Sequence, residues 1–348
     1  MKKATLLIIT LIFSQLFVSA QKKSVRVALV GFYNLENLFD TLHNEGKNDY
    51  DFTPDGPYKY NTWIYRDKLE HLSDALSQIG TDISPDGLAM FGVAEIEDST
   101  VLHDLARTEK LKSRNYRFVH YESPDERGID VGLMYNPRYF RVLWSGKYFV
   151  KLESENPATP YYTRDVLYVK GIFAGDTVHV FVNHWPSRRG GEERSAASRA
   201  AAAQTCRDRI DSLFALNPYS KIIAMGDLND DPVSPSVTEV MKAKSKLEDI
   251  GLTDIFNPWI NLYKKGIGTL AYQDSWGLFD QIMVSGAWMN KEQKGFYYHN
   301  AQIFNRDFLI QKTGKYKNYP KRTWDGITYN YGYSDHFPVF ITLYKNVE

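Results

Sequence analysis

The sequence predicts an α/β protein. Short apolar runs bounded by Gly, Pro, Asn or Asp indicate strands, and two longer segments with apolar residues at helical spacing indicate helices that pack on a sheet. No internal repeat or low-complexity linker divides the chain, so residues 21–348 are predicted to form a single domain.

The predicted elements follow in order along the chain. Apolar or alternating runs predict strands at residues 25–30, 88–94, 116–121, 129–135, 141–152, 166–173, 178–182, 222–225, 281–284 and 337–344. Helical spacing predicts helices at residues 63–79 and 192–216, and a shorter one around 237–243. Residues 41–62 are expected to form a loop, and residues 288–333 are the least regular part of the chain.

The composition is that of a globular protein, because 43% of the 348 residues are apolar and 24% are charged. Lys and Arg together number 42, as do Asp and Glu, so the net charge is zero. Any preference for a polyanion must therefore come from a local basic surface. The only cysteine, Cys206, excludes an intramolecular disulfide, and its alanine-rich helical setting predicts a buried structural residue rather than a catalytic thiol.

Residues 1–20 differ in kind from the rest. Lys2 and Lys3 precede an apolar run over residues 6–18, and Val18 and Ala20 occupy the −3 and −1 positions of a cut after Ala20. This pattern is typical of a cleaved signal peptide, with an uncleaved anchor as the alternative. We therefore expect an exported protein, periplasmic or secreted, with no stable membrane insertion after cleavage.

Polar side chains recur at the predicted strand ends. In residues 221–232, KIIAMGDLNDDP, an apolar strand is followed by a Gly and then by Asp227 and Asn229. Open α/β sheets bind ligands beyond the carboxyl ends of their strands, although Gly, Asp and Asn are also ordinary turn residues. Repetition of the pattern favours a site, with these candidate residues: Asn34, Glu36, Glu95, His184, Asp227, Asn229, Asp280, Asp335 and His336.

Carboxylate and amide oxygens are the ligands that a hard cation such as Mg²⁺ prefers. The sequence has no Cys cluster and no HExxH motif, which disfavours a zinc site. Cleavage of a phosphate ester needs a neutralised phosphoryl group, a positioned water and assistance to the leaving oxygen. Two histidines with carboxylate partners are suited to position the water and to assist the leaving oxygen.

Six motifs in this order, GFYNLEN, VAEIED, VNHWPS, MGDLNDD, FDQIMVS and YSDHFPV, resemble the successive motifs of the endonuclease/exonuclease/phosphatase superfamily. The resemblance covers about residues 25–345, and the ordered set is far more specific than any single motif. It implies a DNase I-like fold: a four-layer α/β sandwich with two central, mostly antiparallel sheets flanked by helices, and one polar cleft at the sheet tops.

The resemblance also implies the metal-binding residues. Glu95 resembles the main ligand of a Mg²⁺ or Mn²⁺ ion, and Asn34, Glu36 and Asp335 resemble residues beside that ion. For Glu36, a merely solvated side chain is the alternative. Glu97, just past Glu95, is expected to be a solvated loop residue.

The catalytic residues are implied in the same way. Asp227 resembles the aspartate that orients or deprotonates the attacking water, and Asn229 the amide that holds a phosphate oxygen. His336 resembles the catalytic histidine, with Asp280 fixing its tautomer; a turn or cap residue is the alternative for Asp280. His184 is the second histidine, which contacts the phosphate or helps protonate the leaving group.

Three arginines are candidates for substrate binding. Arg127 lies in a stretch that resembles a cleft-lining segment of the family, and Arg188 and Arg189 follow the VNHWPS motif. Arg188 and Arg189 are suited to hold a non-scissile phosphate through bidentate contacts, and a solvated loop is the alternative for both. Residues 291–325 contain eight Lys or Arg against three acids, with several Tyr, which indicates either a groove lip for nucleic acid or a solvated insertion.

These features predict an exported, monomeric, metal-dependent phosphoesterase. The first expectation is a nuclease acting on DNA or RNA. The runner-up is a phosphatase or phosphodiesterase acting on small phosphoesters, sugar phosphates or lipid headgroups. A binding protein for phosphate ligands that has lost catalysis is a third reading, but none of the key acids or histidines is missing.

Overall fold

A computed structural model describes residues 24–153 and 161–347. The predicted signal peptide, residues 1–20, lies outside the described residues. Within the described ranges, no helix is both long enough and apolar enough to cross a membrane.

The structure contains 17 strands and four α-helices in the described residues. The strands are β1 Val25–Leu38, β2 Leu88–Ile96, β3 Arg117–His120, β4 Asp130–Tyr135, β5 Phe140–Tyr148, β6 Val166–Phe173, β7 Asp176–His184, β8 Lys221–Asp227, β9 Ala243–Lys244, β10 Ile255–Phe256, β11 Leu270–Tyr272, β12 Ser275–Gly277, β13 Asp280–Ser285, β14 Tyr297–Ile303, β15 Trp324–Asp325, β16 Thr328–Tyr329 and β17 Val339–Asn346. The helices are α1 Thr62–Gln78, α2 Ser99–Arg107, α3 Glu192–Leu216 and α4 Ile260–Tyr263.

Two large mixed sheets form the centre of the molecule. The first has six strands in the order β14-β17-β1-β2-β4-β3, and the second has seven in the order β5-β6-β7-β8-β13-β10-β9. The pairs β1/β2, β7/β8 and β9/β10 are parallel, and the other pairs are antiparallel. The prediction of mostly antiparallel sheets is confirmed.

Alternation of side chains along the strands divides the core into three layers. On β1, Val30 and Phe32 pack between the two sheets, whereas Leu29 and Tyr33 pack on the opposite face with α1 and α2. On the second sheet, the outer apolar face packs against α3, where Cys206 is buried. Because strand side chains alternate between faces, each central strand contributes to two layers. The result is the predicted four-layer sandwich: helices, sheet, sheet, helix.

Several elements differ from the prediction. Strand β1 continues to Leu38, because its polar residues Asn34 and Glu36 are buried at the end of the sheet rather than solvated. Helix α2, capped by the Asp98 side chain, and the edge strand β14 were not predicted. The helix expected around residues 237–243 is a five-residue π-helix, Ser236–Val240.

Candidate active site

The register of the second sheet places three candidate residues side by side. His184 ends β7 opposite Asp227, the last residue of the parallel strand β8. Asp280 begins β13 and pairs with Asp227 from the other side, since β13 runs antiparallel to β8. The strand pairing alone therefore brings a histidine and two carboxylates to one edge.

Asp227 lies at the centre of the site and joins the two sheets. Its Oδ2 accepts a hydrogen bond of 3.0 Å from Nδ2 of Asn34, which belongs to the first sheet. Its Oδ1 accepts from the backbone N–H of Asn229 at 2.9 Å. The Nε2 atoms of His184 and His336 lie 3.7 and 3.9 Å from Oδ2. The distant motifs therefore converge on one carboxylate.

Burial raises the pKa of Asp227 to about 6, and the nearby Asp280 adds to this effect while His336 opposes it. A carboxylate with a pKa near the working pH is suited to accept a proton.

His336 and Asp280 form a buried imidazole–carboxylate pair. Nδ1 of His336 lies 2.7 Å from Oδ2 of Asp280, and both side chains are almost inaccessible to solvent. Burial lowers the pKa of His336, but the negative charges of Asp280 and Asp227 outweigh it and hold the pKa well above its usual value. Asp280 therefore holds the Nδ1 side of the ring, and Nε2 lies toward the site, 3.9 Å from Oδ2 of Asp227.

Glu95, His184 and Asp227 form a candidate metal centre. Each offers a ligand atom, and these atoms all lie within 4.8 Å of one another. The Glu95 side chain is 17% exposed, and its backbone adopts a left-handed conformation with φ 58°. Two carboxylates and one imidazole suit a divalent cation. Of the metal-binding residues that the sequence predicts, this group contains Glu95, whereas its other members, His184 and Asp227, were predicted to be catalytic.

His184 is buried like His336, but its pKa is shifted in the opposite direction. Burial lowers its pKa well below the usual value, and the positive charges of Arg164 and Arg127 lower it further. The ring is therefore neutral and can offer an electron pair to a cation. Its Nδ1 has no hydrogen-bond partner among the described residues.

Glu36 and Asp335 lie beside this centre without belonging to the three-residue group. Oε2 of Glu36 accepts from the backbone N–H of Thr323 at 2.7 Å, and Asp335 is paired with Arg322 at 2.9 Å. Burial raises the pKa of Glu36 to about 7, and the charge of Asp335 raises it as well. Glu36 is buried, so the solvated alternative does not describe it.

Asn229 and Asn34 are held by their neighbours. Asn229 has a left-handed backbone with φ 49°, and its Nδ2 donates to the carbonyl of Trp185 at 3.0 Å. Oδ1 of Asn34 accepts from the backbone N–H of Glu36 at 2.9 Å while its Nδ2 binds Asp227. The Asn34 side chain therefore orients Asp227 directly.

The three predicted substrate arginines have different surroundings. Arg188 contacts Glu192, Asp230 and Asp231 at 2.9 to 3.3 Å, and its Nε donates to the Asn229 carbonyl at 2.9 Å. The Arg127 side chain is 46% exposed, with Nε 3.6 Å from Asp125. Arg189 is exposed. These contacts hold the Arg188 side chain against the loop that carries Asn229. Of the three arginines, only Arg127 and Arg189 are largely open to solvent.

Three basic residues lie beside the site, of which the sequence singled out none individually and counted only Arg322, within the basic stretch 291–325. Arg164 is buried and donates to the Trp185 carbonyl at 2.5 Å and to Asp125 at 3.1 Å. Lys68, also buried, donates to the Thr323 hydroxyl at 2.6 Å, and Arg322 pairs with Asp335. Arg164 and Lys68 lie in segments without a recognised motif, so only tertiary contacts reveal them.

A buried carboxylate between two histidines, with a cation centre next to it, is suited to hydrolysis of a phosphate ester. The fold and site thus define a metal-dependent phosphoester hydrolase. A model of the Endonuclease/Exonuclease/phosphatase family matches residues 29–345, and the chain belongs to that family. A search of curated proteins returned no match.

Solved structures show the same fold at low sequence identity. TDP2 of D. rerio, complexed with a single-strand DNA product, has 14% identity and a TM-score of 0.54, with 91% of this chain and 98% of that chain covered. The mannosyl-6-phosphatase Bt3783 of Bacteroides thetaiotaomicron has 15% identity and a TM-score of 0.52, covering 91% and 99%. A family protein from the same bacterium has 16% identity and a TM-score of 0.52, covering 93% and 100%.

Proposed function

We propose that this protein is an exported nuclease that hydrolyses phosphodiester bonds with Mg²⁺ or Mn²⁺. The observation that carries the proposal is a basic strip, residues 309–323, anchored at the candidate active site. The strip contains five Lys or Arg and no Asp or Glu. A nuclease needs such a surface, because phosphate contacts supply most of the affinity for a nucleic-acid chain.

Two contacts tie the strip to the site. The Arg322 guanidinium pairs with Asp335, and the Thr323 backbone N–H binds Glu36. Lys312, Lys315 and Lys317 are exposed farther along the strip. The strip therefore ends beside Glu36 and Asp335. A polyanion bound along these side chains extends toward the candidate active site.

The relatives support the proposal at the level of the fold. One neighbour was solved with a single-strand DNA product, so this architecture accommodates a nucleic-acid chain. Another is a mannosyl-6-phosphatase, so the same architecture also serves a small sugar phosphate. In this chain the basic strip favours the polymer.

We assign the metal to Glu95 and His184, which would hold it beside Asp227, with Glu36 and Asp335 adding negative charge nearby. The ion, when bound, neutralises charge on the phosphoryl group and lowers the pKa of bound water. Asn34 fixes the orientation of Asp227, which accepts the proton of the attacking water. Protonated His336, held by Asp280, then donates a proton to the leaving oxygen as the phosphorus–oxygen bond breaks.

The remaining polar groups are assigned to substrate binding. Asn229 offers its amide to a phosphoryl oxygen, and Arg127 and Arg189 are exposed enough to contact neighbouring phosphates. Arg188 supports the Asn229 loop through the contacts described above. We further propose that residues 1–20 direct export and are removed after Ala20, and that the mature protein acts as a monomer.

The test uses purified protein with plasmid DNA, RNA, p-nitrophenyl phosphate and bis-p-nitrophenyl phosphate. Each substrate is incubated with Mg²⁺, Mn²⁺ or EDTA, and His336→Ala serves as the inactive control. Nicking of plasmid or cleavage of RNA that EDTA abolishes is the expected result. Hydrolysis of the monoester alone would instead identify a small-molecule phosphatase, and no hydrolysis of any substrate would indicate a binding protein.

Export is tested separately. The N-terminal residue of the protein recovered from the periplasm or the medium should be Gln21. A protein that retains Met1 in the membrane fraction would contradict cleavage and support the anchor.

A further inference from the structure

An aromatic cluster, here called the aromatic platform, lies beside the candidate active site and comprises Trp63, Tyr329 and Tyr331. The ring of Trp63 lies 5.9 Å from each tyrosine ring, and the two tyrosine rings lie 4.8 Å apart. Trp63 is 55% exposed and Tyr331 is 53% exposed. Two large aromatic side chains thus meet at the surface with much of their area facing solvent.

Contacts with Trp324 and with residues of α1 and its N-cap hold the platform in place. Tyr329 packs against the ring of Trp324 at 5.4 Å, and its hydroxyl donates to Asp67 on α1. The backbone N–H of Trp63 is held by the side chain of Asn61, the N-cap of α1. Rings that are held in place lose little conformational entropy when a flat ligand stacks on them.

A short path joins the platform to the site. Tyr329 pairs with Trp324 across the β15/β16 hairpin, and Trp324 follows Thr323, whose N–H binds Glu36. One chain step and one strand spacing separate Thr323 from Tyr329, so the Tyr329 backbone lies on the order of 10 Å from Thr323, the residue that binds Glu36. A ligand on the platform can therefore belong to the molecule whose phosphate is in the site.

We infer that the aromatic platform is a stacking subsite for an unpaired nucleobase of the substrate. This inference rests on the proposed nuclease function and adds the part of the substrate that is recognised. The basic strip ends at Thr323, where the hairpin of the platform begins, so backbone contacts and ring contacts follow one another along one chain. Any base can stack on an aromatic ring, so the subsite recognises single-stranded nucleic acid without selecting a sequence.

The experiment compares a single-stranded oligonucleotide with a chain of the same length that lacks all bases. Binding is measured in the His336→Ala background with Mg²⁺ present, so that the oligonucleotide stays intact. The double variant Trp63→Ala/Tyr331→Ala removes the two exposed rings of the platform. Trp144→Ala, which removes a tryptophan that is 51% exposed on β5, is the matched control.

With the platform intact, the oligonucleotide should bind about 5- to 100-fold more tightly than the base-free chain, as expected for one stacked base. In the double variant this ratio should fall close to one, with binding of the base-free chain unchanged. Trp144→Ala should keep the ratio. Trp63→Phe, which retains a ring, should also keep most of it while losing the quenching of Trp63 fluorescence.

Two results would overturn the inference in different ways. An unchanged ratio in the double variant, or a ratio near one with the platform intact, would exclude the subsite and leave the nuclease proposal standing. Absence of binding to both chains, together with hydrolysis of small phosphoesters only, would reject the nuclease and the subsite together.

Discussion

Replacement of Asp280 by Asn tests the proposed proton donor without changing the shape of the site. Asp280 is completely buried, and its Oδ2 lies 2.7 Å from Nδ1 of His336. Asn keeps the volume and a hydrogen-bonding group but removes the negative charge that stabilises the protonated ring. The variant should therefore fold normally and lose activity.

The magnitude follows from the burial of the pair. Breaking a buried ion pair by removing one partner costs about 3–5 kcal/mol. If the protonated ring is needed in the transition state, the loss in kcat/KM is roughly 10²- to 4 × 10³-fold, at tenfold per about 1.4 kcal/mol. A loss of this size is measurable with an oligonucleotide, whose leaving group is an alkoxide, and a divalent cation.

The leaving group gives a second readout. A substrate with a strongly acidic leaving group needs little protonation, so Asp280→Asn should affect it less than a phosphodiester with an alkoxide leaving group. Asp104→Asn, which alters an exposed contact with His103 at 3.4 Å on α2, should leave both activities unchanged. Normal activity of Asp280→Asn toward both substrates would refute the role of the pair.

Three further predictions concern the metal, the basic strip and stability. Glu95→Gln should lose several orders of magnitude in turnover and most of its Mn²⁺ affinity in calorimetry with the melting temperature nearly unchanged, and retained activity would contradict its role. Lys315→Ala/Lys317→Ala should reduce the slope of log affinity against log salt by about 1.4 for single strands, whereas Lys291→Ala, at the opposite end of the sheet, should not. Burial lowers the pKa of His179 from 6.5 to about 4, so below pH 6.5 the unfolded chain binds a proton that the folded protein excludes. The contribution of His179 to the free energy of unfolding should be constant above pH 6.5 and fall by about 1–2 kcal/mol by pH 5. Urea titrations of His179→Phe should therefore show a smaller decrease over this range than those of the unchanged protein.

The parts of the fold that follow from the sequence are those with strong periodicity. Helix α3 was predicted at its observed bounds because its pattern is long and uninterrupted. Strand β14, with the sequence YYHNAQI, lies at the sheet edge and pairs only with β17, so it shows no clear alternation. Helix α2 did leave a signal, since Asp98 precedes Ser99 and Thr100 as a helix cap, but these residues resemble a turn equally well.

The sequence predicted site residues correctly where a motif contains a residue type that suits the expected chemistry. Asp227, Asp280 and His336 converge as the motifs imply. Glu97 shows the limit, because it was expected to be solvated but is buried, and accepts from Asp40 N–H at 2.6 Å and Asn44 Nδ2 at 2.7 Å. Glu97 lies within the VAEIED motif, but only the packing of the loop after β1 determines that its side chain is covered.

The opposite charge states of the two histidines are a property of the assembled fold and not of either motif. His184 and His336 are both buried and both lie within 4 Å of the same Asp227 oxygen. Burial lowers the pKa of both rings, but His184 has arginines nearby whereas His336 has Asp280. One imidazole is therefore neutral and can ligate a cation, and the other is protonated and can donate. The role of each histidine therefore depends on the charged residues beside it. Removing the charge of Asp280 beside His336, or of the arginines near His184, should affect catalysis more than a small shift of either ring.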